Sequence, residues 1–515
     1  MTRAKNSAFH HLSGGVLLAF ALLAACSPAA PPTQTASTPS ATDAPVTEDI
    51  ALHASVFFLG RTDSSGDGQV SLSDEVALYA NVRTVDTDTV SEPSQRLSAE
   101  GVNVLQFDTA TNGEAVAYIA QPAPSATNES NSLVLEIVQV SDLSSTRVTL
   151  TDLTAATAQF FEDAIWVSGY NADGMPLLRG LNPTNGEVIG ERVFETPTAQ
   201  ITLDPSGQWA LNFMAETGAV EVFSLPAFEP VALELPSTGT IVDAPQWSPS
   251  LDGERFVTLF AAANNPANFG LWIVDAEGSD VQAIDLPDYE GVNRVSATWS
   301  DHGEYVVTTA RQAAPDPSGS VPPITIIDAA ADASTAPVSL QEAGFRLSVF
   351  GWSSGDAFAL VLKQPVNTSN RESSIPVFPE FMLYNSASQQ LTPLESMAQV
   401  EPQTAKWSPT ETRLGILGQS LLDGQYGVYA LSAAEDTLTT LLSSFDTGLT
   451  QGNIYWTQDG AQVIVLAPST DSAQGLITTP LGTPFALFVL DVASEAVVRL
   501  SPEGIAVDLY NVNVQ

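Results

Sequence analysis

A large aromatic followed by a small hydroxyl residue returns at a nearly constant interval. The pairs are Trp247-Ser248, Trp299-Ser300, Trp352-Ser353, Trp407-Ser408 and Trp456-Thr457, with gaps of 52, 53, 55 and 49 residues. That spacing is too long for a helical hairpin repeat and matches the length of a four-stranded propeller blade. The chain is therefore read as a tandem repeat. A single compact core rarely reaches 515 residues, so several domains or a repeat is required. The low share of charged residues, 15%, beside 44% hydrophobic ones, belongs to a chain rich in buried strands.

The anchor slot continues upstream with weaker residues: Leu203 before Asp204-Pro205-Ser206-Gly207, Phe161, and Phe107 before Asp108. Eight anchors result, each followed by a polar turn and then alternating apolar runs and turns. The Trp247 unit shows the pattern best. Trp247-Ser248-Pro249 opens it, Asp252-Gly253 turns the chain, and Arg255 to Phe260 is dense in aromatic, aliphatic and β-branched residues. Leu271-Trp272-Ile273-Val274 follows, then the turn Asp275-Ala276-Glu277-Gly278-Ser279 and the run Val281 to Leu286. Four strands in about 50 residues make one antiparallel blade.

Residues 54–98 hold strand-like segments, Ser55 to Gly60 and Val76 to Val82, but no opening anchor. Ile505 to Val514 is a lone strand-like run at the other end. Propellers commonly close by letting one terminus complete a blade begun by the other, which removes exposed sheet edges. Counting that composite blade gives nine, whereas propellers usually stop at eight. The expectation is an all-β propeller over residues 50–515, with eight four-stranded blades and a range of seven to nine.

The Trp247 unit resembles the TolB-like, WD-repeat-like propeller repeat, whose pattern runs Trp-Ser-Pro-Asp-Gly, strand, Ile-Tyr, small residues, Gly. The match is good at Trp247, fair at Trp299, Trp407 and Trp456, and poor before residue 200. It covers about half the chain and implies a fold, not a role. TolB itself is a soluble periplasmic protein with a separate N-terminal domain, so a Tol-system function does not carry over.

The N-terminus is of another kind. Arg3 and Lys5 form a basic segment, Val16 to Leu23 an apolar one, and Leu23-Ala24-Ala25-Cys26 follows. This resembles the bacterial lipoprotein signal, the lipobox. The resemblance implies that residues 1–25 are a removed signal peptide and that Cys26 is lipidated and becomes the mature N-terminus. It places the protein in the cell envelope outside the cytoplasm, held to a membrane by the lipid; Ser27, rather than Asp, implies the outer membrane where there is one. Cys26 is the only cysteine, so no disulfide forms within the chain. The apolar run is too short to span a bilayer. Residues 26–49 are rich in Pro, Ala, Thr and Ser and read as a tether, reaching about 60 Å when extended.

Charge excludes one class of partner. Asp and Glu number 59 against 17 Lys and Arg, a net charge of −42 that the loss of Arg3 and Lys5 makes more negative. Such a surface repels phosphate backbones, so nucleic acid is not expected as a partner.

Long insertions do not scatter. Gln121 to Asn131, Asn264 to Phe269, Gln312 to Pro323, Gln364 to Pro376, Gly418 to Gly427 and Thr470 to Thr483 all fall between the second and third strands of their units. In a propeller those connections emerge on one face, which is the expected docking surface for an envelope protein or glycan. The equivalent loop of the first unit is acidic. Asp63, Ser65, Asp67, Gln69 through its carbonyl, Ser71 and Asp74 occupy positions 1, 3, 5, 7, 9 and 12, with Gly68 at position 6. This resembles an EF-hand or dockerin-type loop and implies calcium as a structural cofactor. Serine ligands and a short Asp74 imply weak affinity, on the order of 10⁻⁴ to 10⁻³ M. Flanking strands leave no helix to reorient, so a clip is expected rather than a switch.

Chemistry is sparse. Only His53 and His302 remain after signal removal, and no His-Glu-x-x-His, Walker or Rossmann pattern occurs. No catalytic residue is assigned. The favoured reading is a lipid-anchored binding or scaffold protein; the alternative is a hydrolase or lactonase-like propeller using calcium or carboxylates at the central channel.

Overall fold

Runs of β-branched and aromatic residues, broken at short intervals by Gly, Asp or Ser, favour strands joined by tight turns. A computed structural model contains such strands in the order the anchors dictate. The structure describes residues 51–64, 70–71, 74–82, 94–122, 132–235, 239–250, 254–262, 265–287, 292–312, 321–330, 336–365, 380–410, 413–445, 453–468, 485–494 and 496–515. Among these, no helix is long and apolar enough to cross a membrane.

The Trp407 unit is representative. Val400–Trp407, Arg413–Ser420, Tyr426–Ser432 and Thr437–Phe445 pair in sequence order, each antiparallel to the next. Among the described residues eight sheets form, as expected: six of four strands, one of five and one of eight. The eight-stranded sheet holds two quartets. Asn453–Trp456, Gln462–Pro468, Phe485–Asp491 and Val497–Arg499 make the Trp456 unit. The C-terminal Ala506–Val514 then pairs with Val56–Arg61, which continues to Val76–Asn81 and Gln95–Arg96. This is the composite closing unit. A single residue pair, Phe485 with Val507, joins its sheet to the Trp456 unit.

Local chemistry explains the repeated residues. In the five Trp units the first strand ends at its anchor, and the residue after an anchor caps the turn. Ser300 Oγ accepts the Tyr305 N–H at 2.9 Å, Ser353 Oγ that of Phe358 at 2.9 Å, and Thr457 Oγ1 that of Gln462 at 3.1 Å. In the Leu203 unit Asp204 Oδ1 takes the same role for the Trp209 N–H at 2.7 Å. Each bond satisfies an amide that would otherwise lie buried without an acceptor. The glycine of these turns is required too: Gly303 at φ 79° and Gly460 at φ 69° pack against Ser248 and Ser408 of the preceding turns, leaving no room for a Cβ.

The indoles tie unit to unit. Trp247 Nε1 donates to the Thr202 carbonyl at 3.3 Å, Trp299 Nε1 to Gln246 at 2.9 Å and Trp456 Nε1 to Lys406 at 2.8 Å. The acceptor each time precedes the previous anchor, so first strands are laced together side by side. Phenylalanine has no donor to offer there.

Packing closes the ring. Strand residues alternate between neighbours: Phe57 and Leu59 join a cluster with Val104, Phe107 and Tyr118, whereas Val56 and Phe58 join Ile464, Leu487 and Val489. Seven further clusters each bridge two consecutive units, so the series runs from the closing unit through all anchors and back. By hydrogen-bonded sheets there are eight bodies, and by quartets nine, both inside the expected range. Antiparallel order puts first-to-second and third-to-fourth turns at one end of every unit and second-to-third connections at the other. The disc thus has a turn face and a loop face. Four of the predicted insertions match the long connections 123–132, 313–323, 366–379 and 469–484, all between second and third strands. Asn264 to Phe269 instead falls largely inside the strand Asn265–Asp275, and Gly418 to Gly427 shrinks to the short connection 421–425, because strand pairing continues through those residues.

Candidate functional site

A large cavity lies on the turn face, among the described residues. It has a volume of about 1230 Å³ and is walled by the first-to-second turns of three consecutive units: Asn112 and Glu114, then Phe161, Glu162 and Asp163, then Ser206 and Gln208. Third-to-fourth turns contribute Thr184 and Pro226, and Gln139 stands at the end of a third strand. The last wall is Gln458, from the turn of the Trp456 unit. That residue belongs to the unit on the other side of the closing unit, so the cleft is walled by turns from two non-adjacent parts of the ring.

The turns that build it are those whose repeat signal is weakest. Here Asn112 Oδ1 accepts the Glu114 N–H at 3.0 Å while its amide donates to Glu114 Oε2 at 2.9 Å. Phe161 lies over Gly207, whose φ of 73° and lack of a side chain permit the approach. Beneath, Trp166 is buried edge-on to Phe228, with ring centroids 5.8 Å apart, and its indole N–H has no hydrogen-bond partner. Such a donor costs about 1–3 kcal/mol. None of the lining residues is Lys or Arg.

The chain enters the disc beside this cleft. Ser55 and Gln515 exchange two backbone hydrogen bonds of 2.9 Å. The Gln462 side chain accepts the His53 N–H at 3.0 Å and donates to the Ala51 carbonyl at 2.7 Å. His53 Nδ1 lies 2.6 Å from Asp459 Oδ2. Burial works to raise the Asp459 carboxyl, but the Thr457 hydroxyl, the Ala461 N–H and His53 together hold it below the usual carboxylate range. Residues 51–55 are therefore clamped to the turn face, one residue from Gln458.

The loop face carries two smaller cavities. One, of about 330 Å³, is lined by Ser420, Leu422 and Gln425 of a second-to-third connection, with Leu422 79% exposed. The other, of about 250 Å³, lies among Arg61, Val76, Leu105 and Gln121.

The predicted site residues fall out as follows. Cys26 lies outside the described residues, as do Ser65, Asp67 and Gln69. Asp63, Ser71 and Asp74 are described, at the two ends of the acidic loop. Asp74 is buried, and its carboxylate draws those ends together. Oδ1 accepts from the Ser64 N–H at 3.2 Å and its hydroxyl at 3.0 Å, and Oδ2 from the Ser71 N–H at 2.6 Å and its hydroxyl at 3.0 Å. Among the described residues no group of three His, Cys, Asp or Glu is placed to hold a metal. His302 is half exposed, with Nδ1 3.6 Å from Asp356, whose buried carboxylate accepts from Ser300 Oγ at 2.5 Å and from the Glu304 N–H at 3.1 Å. That cluster fastens one turn to the next. Sequence reasoning did not single out Asn112, Glu114, Glu162, Asp163, Gln208 or Gln458. The available signal was the decay of the Trp-Ser pattern in consecutive units.

No family model matches the chain, and no curated protein matches it. Among solved structures it is similar to a prolyl endopeptidase, with a TM-score of 0.41 and 11% identity over 70% of this chain and 51% of that one. The chain thus spans about half the length of that enzyme. It is also similar to the β-propeller domain of the Trilobed protease from Pyrococcus furiosus, with a TM-score of 0.36 and 12% identity over 79% of this chain and 97% of that one. A third is the Dos1 propeller, with a TM-score of 0.39 and 10% identity over 70% and 89%. At this identity the likeness concerns the fold alone.

Proposed function

We propose that this protein is a lipid-anchored, extracytoplasmic propeller built of TolB-like repeats, acting as a binding or scaffold protein of the cell envelope through its loop face. The observation that carries the reading is the position of the tether root. Val56–Arg61 runs from the turn face to the loop face, so residues 51–55 attach on the side opposite the long connections. A chain held at Cys26 then presents its loop face away from the attachment point. Exposed Leu422, beside its cavity, supplies the apolar contact that a docking surface needs. In fractionation, Cys26→Ala moves the protein from the membrane to the soluble fraction; unchanged fractionation overturns the anchor.

Calcium belongs to the same proposal as a structural ion held by Asp63, Ser65, Asp67, the Gln69 carbonyl, Ser71 and Asp74. Both Asp74 oxygens already bind the loop ends, so an ion competes with those bonds and adds a modest increment to a loop that closes without it. Millimolar calcium raises the melting temperature slightly, and Asp67→Ala abolishes that rise. A second reading rests on Glu114, Glu162 and Asp163 at the cleft: a hydrolase or lactonase-like enzyme working with carboxylates near the ring axis.

A further inference from the structure

The turn-face cleft is unused by the docking surface just described. We infer that it is a binding site for an uncharged oligosaccharide of several sugar units. Its volume of about 1230 Å³ exceeds the roughly 300–1,000 Å³ of a small-molecule pocket, which suits an oligomer rather than a single sugar. The lining is mixed in the way a pyranose is mixed. Asn112, Gln139, Gln208 and Gln458 offer carboxamides that both donate and accept, matching hydroxyl and acetamido groups. Half-buried Phe161 offers aromatic surface for sugar C–H groups.

Charge selects among ligands. Glu114, Glu162 and Asp163 line the cleft and no Lys or Arg does, so a polyanion is repelled. A basic peptide is the rival. The carboxamides and hydroxyls outnumber the carboxylates, and Glu114 is already engaged by Asn112, so little of the lining is adapted to fixed positive charge. The geometry also differs from that of a flat protein interface. Turns from three successive units and Gln458 wall a concavity whose volume admits more than one sugar ring.

The test uses the full-length protein in detergent and isothermal titration. The probes are neutral tetrasaccharides of glucose and of N-acetylglucosamine, an anionic tetragalacturonate and a lysine-rich peptide. A neutral tetrasaccharide binds, the anionic one does not, and Asn112→Ala or Gln458→Ala weakens binding about three- to ten-fold, the range for loss of a hydrogen bond between neutral groups. Leu422→Ser, on the other face, leaves sugar binding intact. Failure of both neutral sugars, or binding of the peptide in their place, overturns the inference. Neither result bears on the anchor, which is read by fractionation of Cys26→Ala.

Discussion

Two arcs of the ring solve the same problem with different chemistry. Between Trp247 and Trp456, the indole N–H groups of Trp247, Trp299 and Trp456 lace their first strands to the preceding ones, at Thr202, Gln246 and Lys406, whereas that of Trp407 is buried without a partner. In the arc of Phe107 and Phe161 no indole stands at the anchor. Gln106 and Asp108 do the lacing instead: Gln106 binds both the N–H and the carbonyl of Ala158 at 2.8 Å, and Asp108 accepts the Phe160 N–H at 2.7 Å. Neighbouring turns of the first arc interlock. Asp356 plugs one turn into the next, and Gly303 and Gly460 fit under neighbouring hydroxyls. The second arc leaves the cleft. The strongest repeat signal thus marks the most structural part of the ring, and a weakened motif marks the part free to specialise.

The largest test of that contrast compares anchors. Trp352 is buried, stacked on Tyr305 at 5.2 Å and edge-on to Tyr384 at 6.3 Å, so Trp352→Ala costs about 3–5 kcal/mol in chemical denaturation. Phe161→Ala, at the half-buried cleft wall, costs clearly less and instead lowers affinity for the cleft ligand. Equal losses of stability would erase the distinction between the arcs.

A smaller effect concerns pH. Burial raises the Asp108 carboxyl above its usual range, outweighing the N–H groups of Phe160 and Thr109. The folded state therefore favours the protonated form. Its contribution is complete below the ordinary carboxylate value and is lost as pH rises through the raised one. Asp108→Asn keeps an acceptor for Phe160 and removes this slope from a plot of melting temperature against pH. A slope unchanged in the variant would assign it to another group. The smallest effect is at the cleft itself: Gln458→Ala and Asn112→Ala change stability by no more than about 0.5 kcal/mol, because both are exposed turn residues. A larger loss would make them part of the scaffold.

Much of the ring was legible before any coordinates. The strand-like segments at Val56–Arg61 and Ala506–Val514, neither with an opening anchor of its own, foretold a composite closing unit, because joining the two termini in one blade removes exposed sheet edges. The insertions foretold the loop face, since antiparallel order fixes which end each connection leaves from. The cleft was not legible. Its polar residues carry no motif, and Asn112 and Gln458 lie far apart in the chain, meeting only because the termini close the ring between them.

The sequence by itself determined the repeat, the way the termini are joined and the face that receives long connections, because strand period and turn chemistry are local. Only the tertiary structure decided that three weakly anchored turns and one distant glutamine enclose a cavity on the tether side. Ring closure and the space left between packed turns are properties of the whole assembly, and no window of residues encodes them.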